Sequence, residues 1–180
     1  RVPAIFPELA RIVQVISKEE LKKRPVSNIA EVLRQFQGID IRQRGPEGIQ
    51  ADISIRGGTF DQTAILLNGI NITDPQTGHH NLNIPISFSQ IERIEILEGP
   101  AARIYGPNAF SGAINIITKA NVEKSIVASY VYGSHNFTDI DIAGSFKTGQ
   151  FSHTLSLNQK KSEGYINNTE IGRASWREIV

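Results

Sequence analysis

The chain has 180 residues, of which 19 are Lys or Arg and 18 are Asp or Glu, so its formal net charge is +1, and it contains no cysteine. The balanced charge gives no support for a nucleic-acid-binding surface, which usually shows a basic stripe. The lack of cysteine excludes disulfides, iron–sulfur clusters and a cysteine nucleophile within this sequence. No apolar run approaches the roughly 18 residues of a membrane-spanning helix.

The first predicted elements are a strand and two short helices. Four of the five residues 12–16 are β-branched and apolar, as in a strand, and Ser17 with Glu20 forms the S-x-x-E capping box of a helix that ends at Pro25. A second helix is predicted in "SNIAEVLRQF", with Ser27 as N-cap. Its apolar residues share one face, and Gly38 is its expected left-handed stop.

Short strands follow these helices. Residues 39–42 form one strand, and "DISIR" and "TAILL" form two more that are joined by "GGTFDQ". The pair Asn68-Gly69 predicts a tight turn. Residues 71–85 are a long polar loop, 85–90 form one helical turn, and 91–119 contain two further strands.

The stretch "IERIEILEGPAARIYGPNAFSGAINIITK" has glycines beside charges, as phosphate-binding loops do. It lacks the G-x-x-x-x-G-K-[ST] spacing, however, and has no lysine placed to reach a phosphate. The chain also has no G-x-S-x-G elbow of a hydrolase. We therefore expect no catalysis, no cofactor and no metal site.

The pattern changes after Asn121. The segments "EKSIVASYVY", "FTDIDIAGSF" and "FSHTLSLNQK" alternate polar and apolar residues and are joined by turns. Segments of about ten such residues are typical of outer-membrane β-barrel strands, although a soluble antiparallel sheet has the same period. The last stretch, "EIGRASWREIV", has no hydrophobic period, and we interpret residues 170–180 as a non-native read-through tail.

Taken together, four stretches resemble TonB-dependent outer-membrane receptors. They are "VISKEELKKRPVSNIAEVLRQFQGIDIRQRG", "ISIRGGTFDQTAILLNGINI", the glycine-containing stretch above and "YGSHNFTDID". The resemblance implies an α+β plug domain at 1–121, followed at 122–169 by the first antiparallel strands of a transmembrane β-barrel that is incomplete here. The expected location is the Gram-negative outer membrane, with the plug in the barrel lumen.

Within this family the chain is most similar to vitamin B12 (cobalamin) transporters. The implied function is binding and import of a scarce nutrient such as cobalamin, energised by the partner TonB. An iron-siderophore receptor is the alternative in the same class, and a soluble envelope binding module is the alternative in another class. "RVPAIFPELA" has no clear TonB-contacting segment, and we expect that segment upstream of Arg1.

The resemblance also implies two sets of functional residues. Loops at the outer end of the plug, 44–52 and 74–81, would form the floor of the substrate site, although "DPQTGHH" departs from the cobalamin pattern. The candidates for substrate binding are Arg44, Gln50, Asp52, Gln76, Thr77, His79 and His80. The candidates for plug–barrel ion pairing are Arg56, Arg93 and Arg103, with Glu95 and Glu98 as local partners.

Overall fold

The structure of the chain is a computed structural model. It describes residues 13–24, 26, 28–44, 50–74, 77–79, 81–82, 84, 86–118, 124–149, 151–163 and 171–179; for Arg44, Arg103, Ser152 and 171–179 it describes the backbone alone. The chain divides into two compact units. The first contains Arg1–Ile84 and Ile91–Thr118, and the second contains Pro85–Gln90 and Lys119–Val180.

The first unit is built on a mixed five-stranded sheet with the order β1-β6-β7-β4-β5, beside a separate two-stranded sheet of β2 and β3. Strands β4 and β7 run parallel, and the other neighbours in both sheets are antiparallel. The strands of this unit are β1 Val13–Ser17, β2 Ile39–Arg44, β3 Gln50–Ile55, β4 Thr63–Leu67, β5 Ile70–Asn71, β6 Ile91–Glu98 and β7 Gly112–Thr118.

The helices of the first unit are short: α1 Lys18–Lys23, α2 Ile29–Leu33 and α3 Ala102–Tyr105. The capping box of α1 is confirmed, because Ser17 N donates to Glu20 Oε2 at 2.9 Å and Glu20 N donates to Ser17 Oγ at 3.4 Å. The prediction of Ser27 as N-cap of α2 is wrong. Asn28 takes that place, and its Oδ1 accepts from Glu31 N at 2.9 Å.

Helix α2 is also shorter than predicted. The backbone bonds beyond Leu33 change to i→i−3, from Gln35 N to Val32 O and from Phe36 N to Leu33 O, each at 3.1 Å. These i→i−3 bonds are of the 3₁₀ type, so the α-helix ends at Leu33 and the chain continues in tighter turns. Gly38 follows with φ of 77°, the left-handed conformation that was predicted for it.

The core of the first unit lies on both faces of the central strands. All five residues of β4 are buried, as are the last five of β6 and the first six of β7. Because β6 is covered on both faces, its burial shows no period of two, and Glu95 is buried beside Ile94 and Ile96. Small residues pack closely in one buried cluster of Ala64, Leu66, Leu97, Ala101, Ala109 and Ala113.

The second unit is a four-stranded antiparallel sheet with the order β11-β10-β9-β8. Residues 170–180 were left out of the predicted fold, but the backbone of 171–179 forms a strand beside β10. A 3₁₀ turn, Phe88–Gln90, also belongs to this unit and matches the helical turn predicted there. The strands are β8 Ser125–Gly133, β9 Phe137–Thr148, β10 Phe151–Ser162 and β11 Ile171–Ile179.

Candidate functional site

Two of the predicted substrate-binding residues, Asp52 and His79, contact each other. His79 Nδ1 lies 2.9 Å from Asp52 Oδ1, and because an ionised carboxylate only accepts hydrogen bonds, Nδ1 carries the proton. Asp52 is buried, whereas about a third of the His79 side chain is exposed, 33%. The contact joins two segments 27 positions apart in the sequence.

Phe60 is a residue that the sequence analysis missed. It opens the 3₁₀ turn Phe60–Gln62, and its ring stacks on His79 with a centroid separation of 4.3 Å and an interplanar angle of 30°. A Cβ at Gly78 would lie 3.1 Å from the Phe60 ring, and Gly78 has φ of 69°. Glycine therefore lets the loop approach the ring. The signal available in the sequence was one aromatic residue between two strands, "GGTFDQ".

Side chains within the second loop fix its shape. Asp74 Oδ2 accepts hydrogen bonds from Thr77 N at 3.2 Å, Thr77 Oγ1 at 2.6 Å and Gly78 N at 3.1 Å. Asp74 N donates to Asn81 Oδ1 at 2.7 Å. This is the local side-chain bonding that Asp provides in turns. The Thr77 hydroxyl proton is used in the loop itself, which leaves its oxygen lone pairs as the acceptors of this side chain.

The candidates predicted in the first loop are placed differently from the prediction. Arg44, Gln50 and Asp52 were predicted in a loop but lie in strands, where Arg44 pairs with Gln50 and Arg42 pairs with Asp52. The antiparallel pairing of β2 with β3 extends to Arg44 and Gln50, so both strands are longer than the polar sequence suggested. Gln76, His80 and the side chain of Arg44 lie outside the described residues.

The charged residues predicted to join plug and barrel form pairs within the first unit. Arg56 Nε lies 2.6 Å from Glu98 Oε2, and Gln14 Nε2 donates to Glu98 Oε1 at 2.5 Å. Arg93 Nε lies 2.7 Å from Glu95 Oε1, and the Arg103 side chain lies outside the described residues. Any pairing of these arginines with barrel carboxylates stays a prediction.

Glu95 is 1% exposed, and both of its oxygens have partners. Besides Arg93, it accepts a hydrogen bond from Asn115 Nδ2 at 3.0 Å. Asn115 Oδ1 in turn accepts from Gly69 N at 2.9 Å. A buried charge is stable only when it is paired and hydrogen-bonded, so this network keeps the carboxylate within the sheet.

Within the described ranges, no group of three or more His, Cys, Asp or Glu could hold a metal ion. No helix among the described residues is long and apolar enough to cross a membrane. The described contacts at the candidate site are the hydrogen bond between Asp52 and His79 and the stacking of Phe60 on His79.

Comparison with known proteins identifies the family. Residues 8–113 match the TonB-dependent Receptor Plug Domain. The chain belongs to the TonB-dependent receptor plug family. The matched residues contain the Asp52–His79 contact and all strands of the first unit except most of β7, Gly112–Thr118. This confirms the predicted plug followed by antiparallel strands, and as a member of this family the chain is an outer-membrane protein.

Curated relatives of this TonB-dependent receptor plug are vitamin B12 transporters. BtuB of Vibrio cholerae serotype O1 is 30% identical over 156 residues, which cover 85% of this chain and 25% of that protein. BtuB of Vibrio vulnificus is 35% identical over 107 residues, which cover 59% of this chain and 17% of that protein. The chain thus spans about a quarter of the length of the relative from V. cholerae.

Solved structures of siderophore receptors share the fold of the plug and the strands that follow it. FpvA of P. aeruginosa bound to a heterologous pyoverdine matches with a TM-score of 0.75 and 17% identity, over 95% of this chain and 23% of FpvA. PiuA of Acinetobacter baumannii matches with a TM-score of 0.67 and 23% identity, over 91% of this chain and 23% of PiuA. The named relatives are transporters and receptors rather than enzymes, in agreement with the prediction of no catalysis.

Proposed function

We propose that the chain is the plug and the first barrel strands of an outer-membrane transporter that imports a scarce nutrient with energy delivered by TonB. The observation that carries this proposal is the two-faced sheet that follows the plug. In β9 the residues Ile140, Ile142, Gly144 and Phe146 lie on one face, and Asp139, Asp141, Ala143 and Ser145 lie on the other.

The register aligns apolar residues across three strands. Ile142 pairs with Ala128 on β8 and with Leu157 on β10, and Gly144 pairs with Ile126 and Leu155. The large side chains of this face are exposed: Ile126 83%, Ile142 46%, Leu155 44% and Leu157 50%. A soluble sheet would bury such a face against a core, so a continuous exposed apolar face fits contact with lipid.

Aromatic residues flank this apolar face. Tyr130 pairs with Ile140 near one end, and Phe146 lies six positions further along β9, roughly 20 Å at the usual strand rise. Outer-membrane barrels carry an apolar band about 25 Å tall between aromatic girdles. The exposed Val127 and Val131 interrupt the polar face, but only on the outermost strand, β8.

The polar face carries paired charges and hydrogen bonds. Lys160 Nζ lies 3.4 Å from Asp139 Oδ2, and Asn158 Nδ2 donates to Asp139 Oδ1 at 2.9 Å. The hydroxyls of Ser145 and Thr154 form a hydrogen bond with an oxygen–oxygen distance of 3.3 Å. A polar interior is the expected complement of a lipid-facing exterior in a barrel that encloses a plug.

Cobalamin is the substrate that we propose, bound above the loop 74–81 and its Asp52–His79 contact. The curated relatives that support this choice are named as vitamin B12 transporters, whereas the siderophore receptors match at the level of fold alone. The alternative substrate is a ferric siderophore, because the "DPQTGHH" loop departs from the cobalamin pattern.

Growth rescue of a receptor-deletion strain by the complete receptor tests the proposal. We expect the receptor in the outer-membrane fraction, and growth on trace cobalamin that is lost when TonB is depleted, while cobalamin binding to the purified receptor persists. Rescue on a ferric siderophore alone would overturn the substrate. Recovery of the protein in the soluble envelope fraction would instead support a binding module.

A further inference from the structure

One stretch of the plug sequence packs with the barrel strands rather than with the plug. Residues 85–90 fall inside the family match of 8–113, yet they cluster with the second unit. The residues on either side, Ile84 and Ile91, belong to the first unit. The chain therefore leaves the first unit, forms a short segment in the second, and returns.

The segment 86–90 is held by its own hydrogen bonds. Ser89 N donates to Ser87 Oγ at 3.2 Å, and Gln90 N donates to Ser87 O at 3.0 Å. The hydroxyls of Ser87 and Ser89 lie 2.6 Å apart. This turn directs two hydroxyl groups to one point, and Ser87 is buried there with 4% exposure.

Both hydroxyls meet a single carboxylate oxygen on β9. Ser87 Oγ donates to Asp141 Oδ2, and Ser89 Oγ donates to the same atom at 3.1 Å. Hydrogen bonds to an ionised acceptor are about twice as strong as neutral ones. Asp141 Oδ1 is buried as well. The loss of the two hydroxyls would therefore leave a carboxylate shielded from water, which is unfavourable.

Asp139, two positions earlier on the same face, serves a different purpose. Its partners are Lys160 and Asn158 on β10, so it links two strands of the sheet. Asp141 makes no ion pair among those described for this sheet, and its hydrogen bonds run to Ser87 and Ser89. Asp139 therefore links two strands of the sheet, whereas Asp141 links the sheet to the segment 86–90, and the first can serve as a control for the second.

We infer that residues 86–90 are a fixed attachment of the plug chain to barrel strand β9, with Asp141 as its acceptor, and that this attachment persists while substrate is imported. The inference rests on the proposed transport function. During import, rearrangement of the first unit takes place around a segment that stays with the barrel.

Amide hydrogen exchange in the complete purified receptor tests the attachment without requiring transport. Asp141→Ala should accelerate exchange in the peptide covering 86–90 by tenfold or more, and Ser87→Ala with Ser89→Ala should do the same without altering the sheet. Asp139→Ala is the control and should leave this peptide unchanged. Exchange that is equal in wild type, Asp141→Ala and the double serine variant would overturn the inference.

A disulfide tests whether the attachment persists during import. The chain has no cysteine, so Ser87→Cys with Asp141→Cys places two thiols where the hydrogen bond was. We expect the oxidised receptor to import substrate at a rate within about twofold of the wild type. An oxidised receptor that binds but no longer imports would overturn the inference. If the wild type does not import either, the transport proposal fails while the exchange result still decides the attachment.

Discussion

At the residue scale, single side chains join segments that are distant in sequence. Asn68 is the clearest case in the sheet of the plug. It has φ of 52°, and Gly69 after it has φ of 81°, so both residues of the tight turn between β4 and β5 are left-handed. Asn and Gly are the residues that adopt this conformation at low cost, which is why the turn was predictable from the sequence. The use of the Asn68 side chain was not.

Asn68 also holds the end of β7. Its Oδ1 accepts from Thr118 N at 2.9 Å, and its Nδ2 donates to Thr118 Oγ1 at 2.9 Å. We expect Asn68→Ala to lower the local stability of this end by about 1–3 kcal/mol, because it removes these bonds and places Cβ in a left-handed conformation. Asn68→Gly, which removes only the bonds, should cost less. Exchange of the Thr118 amide in the complete receptor measures both, and equal rates in all three proteins would contradict this role.

The second residue-scale prediction concerns the proposed substrate site. His79→Ala and Asp52→Asn should each weaken cobalamin binding about tenfold, roughly 1.4 kcal/mol, since the imidazole and its orientation are lost. Asp40→Asn is the matched control in the neighbouring strand, because the Asp40 side chain is exposed and forms an ion pair with Arg42 rather than with His79. Titration of the purified receptor measures the affinities. Unchanged affinity in His79→Ala would remove the residue from the site.

At the element scale, local rules explain the ends of elements better than their pairing. The Ser17 capping box and the Gly38 stop follow from side-chain and backbone preferences within a few residues, so the sequence predicts them. The partners of β3 and β4 do not follow in this way. The two strands are close in sequence, yet β3 pairs with β2 and β4 pairs with β5 and β7.

The site residues illustrate the same limit. The resemblance implied the two segments that contain Asp52 and His79, but the stacking of Phe60 on His79 depends on the tertiary position of the 3₁₀ turn Phe60–Gln62. The burial of Glu95 depends on both faces of β6 being covered, which a local alternation of polar and apolar residues cannot reveal. Tertiary packing decides both features.

Close packing at Gly112 gives the element-scale prediction. A Cβ there would lie 2.5 Å from the Leu97 carbonyl oxygen and 2.8 Å from Ile55 Cδ1, so Gly112→Ala forces the backbone of β6 and β7 apart. We expect a cost of about 1–3 kcal/mol, as for other overpacked cores. Gly144→Ala on β9 is the control, since a Cβ there meets nothing within 4 Å. Exchange of the β7 amides should rise only in Gly112→Ala, and a protected β7 in that variant would contradict the packing argument.

At the scale of the whole molecule, successive residues of β8–β10 lie alternately on the apolar face, which we propose contacts lipid, and on the polar face. Ile142→Arg places a charge on the apolar face, at a cost of roughly 2–4 kcal/mol if that face meets the middle of a bilayer. Ser125→Arg, which is exposed on the other face and lies opposite Ser145, should be tolerated. The yield of folded receptor in the outer membrane measures both. Equal yields would argue against lipid contact at Ile142.

The parallel pairing of β4 with β7 also determines when the plug can fold. Thr63 pairs with Gly112, about fifty positions later, and Val13 pairs with Leu97 from a still greater distance. Loop closure over such distances is slow, and sheets with distant partners fold late. An emerging chain therefore exposes the other edge of β4, an apolar strand that has only the short β5 beside it, until β7 has emerged. The time during which this strand is open to aggregation is set by the order of the strands along the chain.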